Sequence, residues 1–467
     1  MIRAVAGPIR GRGLGLVDQG LSSLSNITLT VLVATAVSAE DFGYFSLAYT
    51  AYIIAVGVVD AVTSEPMIVR HSTGSRQART SAASAAAGAA LAVGLGLALV
   101  LCMLALASPP PLKSCLVALA VLLPVLLTQE VGRFAAFALD RPGAAVMSDA
   151  AWALGMVVTE LAVRSAHAAS PATLLLAWAV PGAVAAIPLL AVLRVRPRPG
   201  QAFPWLRANR DLAWPFAGEY IAGQGSQQLL VVLIGGIVNV ATAGGLRAAM
   251  AILGPLNVLH SASRIAVIPE LARIWARAPW QLRDRVRRLS LGLATATAVY
   301  GAAILLLPSH TGHQLFGDTW HEAAALLPWI VLSRIPMAAT TACFAGLRAT
   351  AAARASLVAR TTSGGLAVVL VVLGAELLGA QGAAAGIAAG NVASAPIWWS
   401  QYRKVVGCRP APEAATGEPD AAAAHGRPTQ PGTLSGEPAM AAETESSAGG
   451  LPVGELLLRH NRKETDR

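Results

Sequence analysis

Arg334 stands within LLPWIVLSRIPMAATTACF, near the middle of an apolar run over residues 322–345. An arginine at such depth in a membrane segment costs a few kcal/mol and needs a carboxylate partner or a watery cavity. The plainer reading is a structural ion pair with a neighbour such as Glu130, Glu160 or Glu376. The planar fork of guanidinium donors also matches phosphate oxygens two at a time. Arg334, Arg247 and Arg133 are therefore candidate phosphate contacts, although the plainer reading of Arg247 and Arg133 is a charge at a helix end.

Two polar rows accompany these cations. Gln19, Ser23, Asn26 and Thr30 recur every three or four residues, which places them on one helix face. Tyr220, Gln224, Gln227 and Gln228 form a second row behind Glu219. A lipid-facing helix has no use for such a face, so both rows are assigned to a substrate cavity, with helix–helix hydrogen bonding as the alternative. Asp18 and Glu219 open the two rows and form a candidate ion-coupling pair. Glu65, beside Pro66, is expected to meet a nearby arginine such as Arg70.

The chain contains no P-loop, no G-x-S-x-G or H-E-x-x-H, and no Cys or His pair at metal spacing. The expectation is a protein that is not an enzyme and takes neither metal nor cofactor. Its four cysteines are scattered, and His310, His313 and His321 read as one polar loop.

The elements that must position these residues are membrane spans. Of 467 residues 55% are hydrophobic and only 13% charged, about half the charge of a soluble protein. Apolar runs fall near 15–37, 42–66, 81–107, 112–138, 144–163 and 171–193, then near 214–238, 243–263, 289–308, 322–345, 354–378 and 382–402. About 20 residues of helix span a bilayer, so the reading is an all-α polytopic membrane protein with about twelve spans in two six-helix halves. The halves cover 1–193 and 214–406, joined by a cytoplasmic linker over 194–213. Pro255 and His260 interrupt the eighth run, where a kink is expected. Residues 407–467, rich in Pro, Gly and Ala, read as a disordered cytoplasmic tail.

The net charge of +10 is not a nucleic-acid signal, because the arginines gather between alternate runs. Arg70, Arg76 and Arg79 follow the second run, Arg194 to Arg210 the sixth, and Arg348, Arg354 and Arg360 the tenth. The positive-inside rule then puts both termini in the cytoplasm. The halves also echo one another: Gln19-Gly20 matches Gln224-Gly225, and Gly43 matches Gly244-Gly245.

The opening of the second run carries a motif: Glu40, Asp41, Phe42, Gly43, Phe45, Ser46, Leu47 and Ala48, closed by Ser64, Glu65 and Pro66. With the polar first helix before it, this stretch resembles bacterial polysaccharide (lipid-linked oligosaccharide) flippases of the MOP (MATE-like) superfamily. The resemblance implies the MOP/MATE-like transporter fold, a place in the bacterial cytoplasmic membrane and a lipid-linked oligosaccharide as cargo moved by alternating access. Membrane lipids, and a polysaccharide polymerase or glycosyltransferases, are the partners it implies. The rival readings are a MATE-like drug/ion antiporter, which would want exposed acidic residues in the cavity, and a non-transporting scaffold of polysaccharide assembly. A membrane glycosyltransferase is disfavoured by the short outer connections.

Overall fold

Helix boundaries follow the chain's serines, asparagines and prolines. Ser38, Ser75 and Asn239 each accept the backbone N–H of the residue three further on, and Ser170 forms a reciprocal capping box with Thr173. Pro110, Pro142, Pro171 and Pro279 open helices at the position where a missing N–H goes unnoticed. This computed structural model describes residues 20–407 apart from 73 and 351. Asp18, Gln19 and the tail from residue 408 lie outside the described residues.

The first six helices are α1 (Gly20–Ala34), α2 (Ala39–His71), α3 (Arg76–Leu106), α4 (Pro110–Ala138), α5 (Pro142–Ser165) and α6 (Pro171–Leu193). A short α7 (Ala202–Ala208) follows, and α8 runs over 210–237. Next come α9 (Val240–Ile252), α10 (Gly254–Arg277), α11 (Pro279–Leu305), the short α12 (Ser309–Phe316), α13 (Thr319–Ala349) and α14 (Ala353–Gly407). The described residues contain no strand. Among the described residues, eight helices are long and apolar enough to cross a membrane, with α1 and α9 as shorter apolar helices.

Three expected runs differ in detail. The run at 243–263 does not merely kink: α9 stops at Ile252 and α10 restarts at Gly254 with Pro255 in its first turn. Proline lacks the N–H that would continue the ladder, so a new helix begins there. The last two runs form one helical stretch folded back at Gly379, whose φ of 59° and ψ of −137° suit glycine. The arms close tightly because Gly382 faces the carbonyl of Gly374, and Gly386 that of Leu370. A Cβ on Gly386 would sit 2.4 Å from that oxygen.

Helices α3, α4, α5 and α6 pack among themselves, as do α9, α11, α13 and α14. The echo between Gly43 and Gly244 acquires a physical meaning, because α2 and α9 cross at these residues. A Cβ on Gly43 would meet the Val240 carbonyl oxygen at 2.1 Å, so the backbones touch there.

Helices α2 and α8 each contain one π-turn, at Asp60–Ser64 and Ile221–Gly225. In α2 Pro66 cannot donate to the carbonyl of Val62, and the indole N–H of Trp205 on α7 donates to it at 3.4 Å. Tyr220, just before the α8 turn, lays its ring over Gly57 of α2 and donates its hydroxyl to the Ile53 carbonyl at 3.1 Å.

Candidate transport cavity

The helices of the two halves enclose a cavity of about 870 Å³. On α2 its lining begins at Tyr49 and ends at Val56; on α13 it begins at Arg334 and ends at Phe344. Both helices start at the arginine-poor end of the molecule, so the cavity occupies the half of the membrane nearer the arginine-rich end. The opposite end is sealed. There Gly43 meets Val240, Gly245 meets Glu322, and Gly317 meets Ala34.

Polarity differs between the two walls. On the first half, Arg133 contacts Glu130 at 2.8 Å and Asp149 at 2.9 Å, and Ser22 donates to Asp149 at 3.4 Å. This corrects the plain helix-end reading of Arg133. Asp149 on α5 reaches the same guanidinium, a contact between helices that no spacing within α4 announces. A charge removed from such a network strands its partners at a cost of about 3–5 kcal/mol. Arg133→Met is therefore expected to lower the thermal midpoint of the purified protein by several degrees, read by a melting curve in detergent.

The second half presents Arg334, Arg247 and Arg360 to the cavity, with His260 beside Thr297 at 3.3 Å. Arg334 lies half-buried, its closest polar contact the Met337 sulfur at 3.7 Å, and no carboxylate pairs with it among the described residues. Each carboxylate expected as its structural partner lies elsewhere. Glu130 is held by Arg133, Glu160 is buried on α5 with neither oxygen hydrogen-bonded among the described residues, and Glu376 is exposed on α14. Arg247 is likewise not a bare helix-end charge: its guanidinium lies 4.0 Å over the Tyr49 ring. Arg247 lies in the second turn of α9, which begins at Val240, and lines the cavity.

Ser23, Asn26 and Thr30 line the cavity together with Gln224, Gln227 and Gln228. Part of the first row is already satisfied by protein: Tyr49 donates to Asn26 Oδ1, and Thr30 donates to the Asn26 carbonyl at 2.7 Å. Tyr220 does not line the cavity, being spent on the α2–α8 contact. Glu219 is not a free coupling carboxylate, because it pairs with Arg348 and lies 3.9 Å from Arg360. Arg70 pairs with Asp211 of α8 instead of Glu65, which is exposed.

Sequence reasoning missed an aromatic wall. The rings of Tyr49 and Tyr52 stand 5.0 and 4.8 Å from that of Trp178, and Trp152 is 5.5 Å from it. Tyr49 and Tyr52 are spaced for one helix face, but Trp178 arrives from α6 and only packing reveals it. Such a wall suits sugar rings and apolar faces alike.

No protein-family model matches the sequence, and neither does any curated protein. Solved structures do match. An inward-facing multidrug resistance MATE family transporter of the MOP superfamily aligns at a TM-score of 0.69 and 13% identity, over 84% of this chain and 95% of that one. An outward-facing conformation of such a MATE transporter aligns at 0.54 and 12% identity, over 86% and 96%. A lipid II flippase, MurJ, in an inward closed conformation aligns at 0.60 and 10% identity, over 87% and 90%. These neighbours are transporters and flippases, not enzymes. The chain is a multi-pass membrane protein with the helical transporter fold of these MATE and MurJ structures.

Proposed function

We propose that the chain is a flippase that carries a lipid-linked oligosaccharide across the bacterial cytoplasmic membrane by alternating access. The observation that supports this reading most is Arg334, a cation facing the cavity with no carboxylate paired to it among the described residues. A phosphate or pyrophosphate linker would complete its charge. Arg360 and Arg247 on the same half would extend the anion-binding wall, and the tyrosine–tryptophan wall opposite would take the sugars. With the arginine-rich end in the cytoplasm, the described state is open inward and the cargo enters from the cytoplasmic leaflet.

The rival drug exporter finds its best support in Glu130 and Asp149, two carboxylates on the first-half wall. Both are bound to one guanidinium, that of Arg133, which lessens their pull on a cation. The deciding experiment reconstitutes the full chain in proteoliposomes and follows a fluorescent lipid-pyrophosphate oligosaccharide and a cationic dye, each with and without an ion gradient. Flipping of the lipid-linked sugar without dye transport is the expected result. Dye transport alone would make the protein a drug antiporter.

A further inference from the structure

A second polar pocket lies outside the transport cavity, at the arginine-rich end of the second half. Arg283, Arg287 and Asp284 of α11 line it, together with Trp399 and Arg403 of the outgoing arm of α14. Three guanidiniums thus face one carboxylate. No acidic side chain forms an ion pair with Arg283, Arg287 or Arg403 among the described residues; Arg403 donates only to the Trp399 carbonyl, at 3.3 Å. Neighbouring Arg285 is different, being held by Glu270 at 2.7 Å.

The faces that carry these arginines change character along each helix. On α11, exposed Arg283 and Arg287 are followed at the same four-residue spacing by Leu291, which is 57% exposed, and the outward side continues to exposed Val299. On α14 the order is mirrored: Val392 is 53% exposed, then come exposed Pro396, half-buried Trp399 and exposed Arg403. Four residues of helix advance about 6 Å. On α11 the change from bare aliphatic surface to bare arginine takes about one turn, and on α14, from Val392 to Arg403, about three turns; both helices make it at the same end of the molecule. Exposed aliphatic side chains mark the hydrocarbon, and a tryptophan beside them marks the interface. The arginines stand where lipid phosphates lie.

We propose that this pocket binds the phosphate headgroup of an anionic membrane phospholipid, with its acyl chains along the Leu291 and Val392 faces. Basic pockets between membrane helices at the cytoplasmic side take such headgroups, each arginine adding about 1 kcal/mol. A free phosphate offers the same oxygens to the guanidiniums but has nothing to place on the aliphatic faces. The site is independent of the cargo, since none of its side chains lines the transport cavity.

The test is native mass spectrometry of the purified full chain titrated with phosphatidylglycerol, phosphatidylcholine or inorganic phosphate. Phosphatidylglycerol is expected to remain bound where phosphatidylcholine does not. The triple variant Arg283→Gln/Arg287→Gln/Arg403→Gln should weaken that binding by about fivefold per arginine. The matching triple lysine variant controls for folding and should hold most of the binding. Equal retention of both lipids, or no change in the glutamine variant, would overturn the proposal. Inorganic phosphate bound as tightly as phosphatidylglycerol would make this an anion site and remove the lipid. Phosphatidylglycerol binding that emerges only after deletion of residues 408–467 would make the acidic residues of the tail the occupant, and the assignment would fall.

Discussion

Arg334→Ala is expected to reduce flipping of a lipid-pyrophosphate oligosaccharide by about tenfold to a hundredfold while leaving the protein as stable as before. Hydrogen bonds to a charged group contribute about 1.5–3 kcal/mol each, and about 1.4 kcal/mol is a factor of ten. The stability half of the expectation follows from the absence of a carboxylate paired to Arg334 among the described residues. Removing it strands no buried charge, unlike removal of Arg133 from between Glu130 and Asp149. Arg334→Lys keeps the charge but not the fork of donors, so it should retain an intermediate rate. The measurement pairs initial flipping rates in proteoliposomes with a melting curve of each variant. Wild-type flipping by the alanine variant would take Arg334 out of the binding wall, and a collapsed melting curve would make it a structural residue.

Gly43→Ala should have the second large effect, on which end of the cavity is open. The added carbon would stand 2.1 Å from the Val240 carbonyl oxygen and 2.6 Å from its carbon, backbone atoms that no rotamer change can move. The helices α2 and α9 must separate, and overpacking of this kind costs about 1–3 kcal/mol. That penalty falls only on the state in which the arginine-poor end is shut. A two-state equilibrium would therefore move about five- to a hundredfold toward the form open at the arginine-poor end. A cysteine in place of Thr30, on a cysteine-free background, reports the shift through its reaction with an impermeant thiol reagent added at the arginine-poor side. Faster labelling in the Gly43→Ala background is the expected outcome. Unchanged labelling would show that the α2–α9 crossing does not form the seal.

Much of this was legible in the chain because lipid imposes one-dimensional rules. Every backbone polar group must be satisfied within its own helix, so length and hydropathy alone announce the spans. The cavity face of α1 was readable for a similar reason. Ser23, Asn26 and Thr30 repeat at helical spacing, and all three line the cavity. Gln224 and Gln227 do so on α8 by the same periodicity. Tyr220 shares that row and yet packs on Gly57, because the π-turn after it shifts the face by one residue.

Partnership was another matter. That Arg133 joins Glu130 to Asp149, that Arg70 goes to Asp211 and not Glu65, and that Glu219 goes to Arg348 all depend on which helices become neighbours. Charges along one helix say nothing of charges on the next, and the chain offers several carboxylates for each arginine. Arg334 shows the division most plainly. Its depth in an apolar run could be read directly, together with the need for a partner or a cavity. Only the packing of α13 against its neighbours decided between them, by leaving Glu130, Glu160 and Glu376 occupied or elsewhere. The spans, their polar faces and the arginine-rich end could be read from the chain, since each depends on local periodicity in an apolar solvent. The tertiary structure alone decided the ion pairs, the aromatic wall and the sealed end, since each is a contact between residues far apart in the chain.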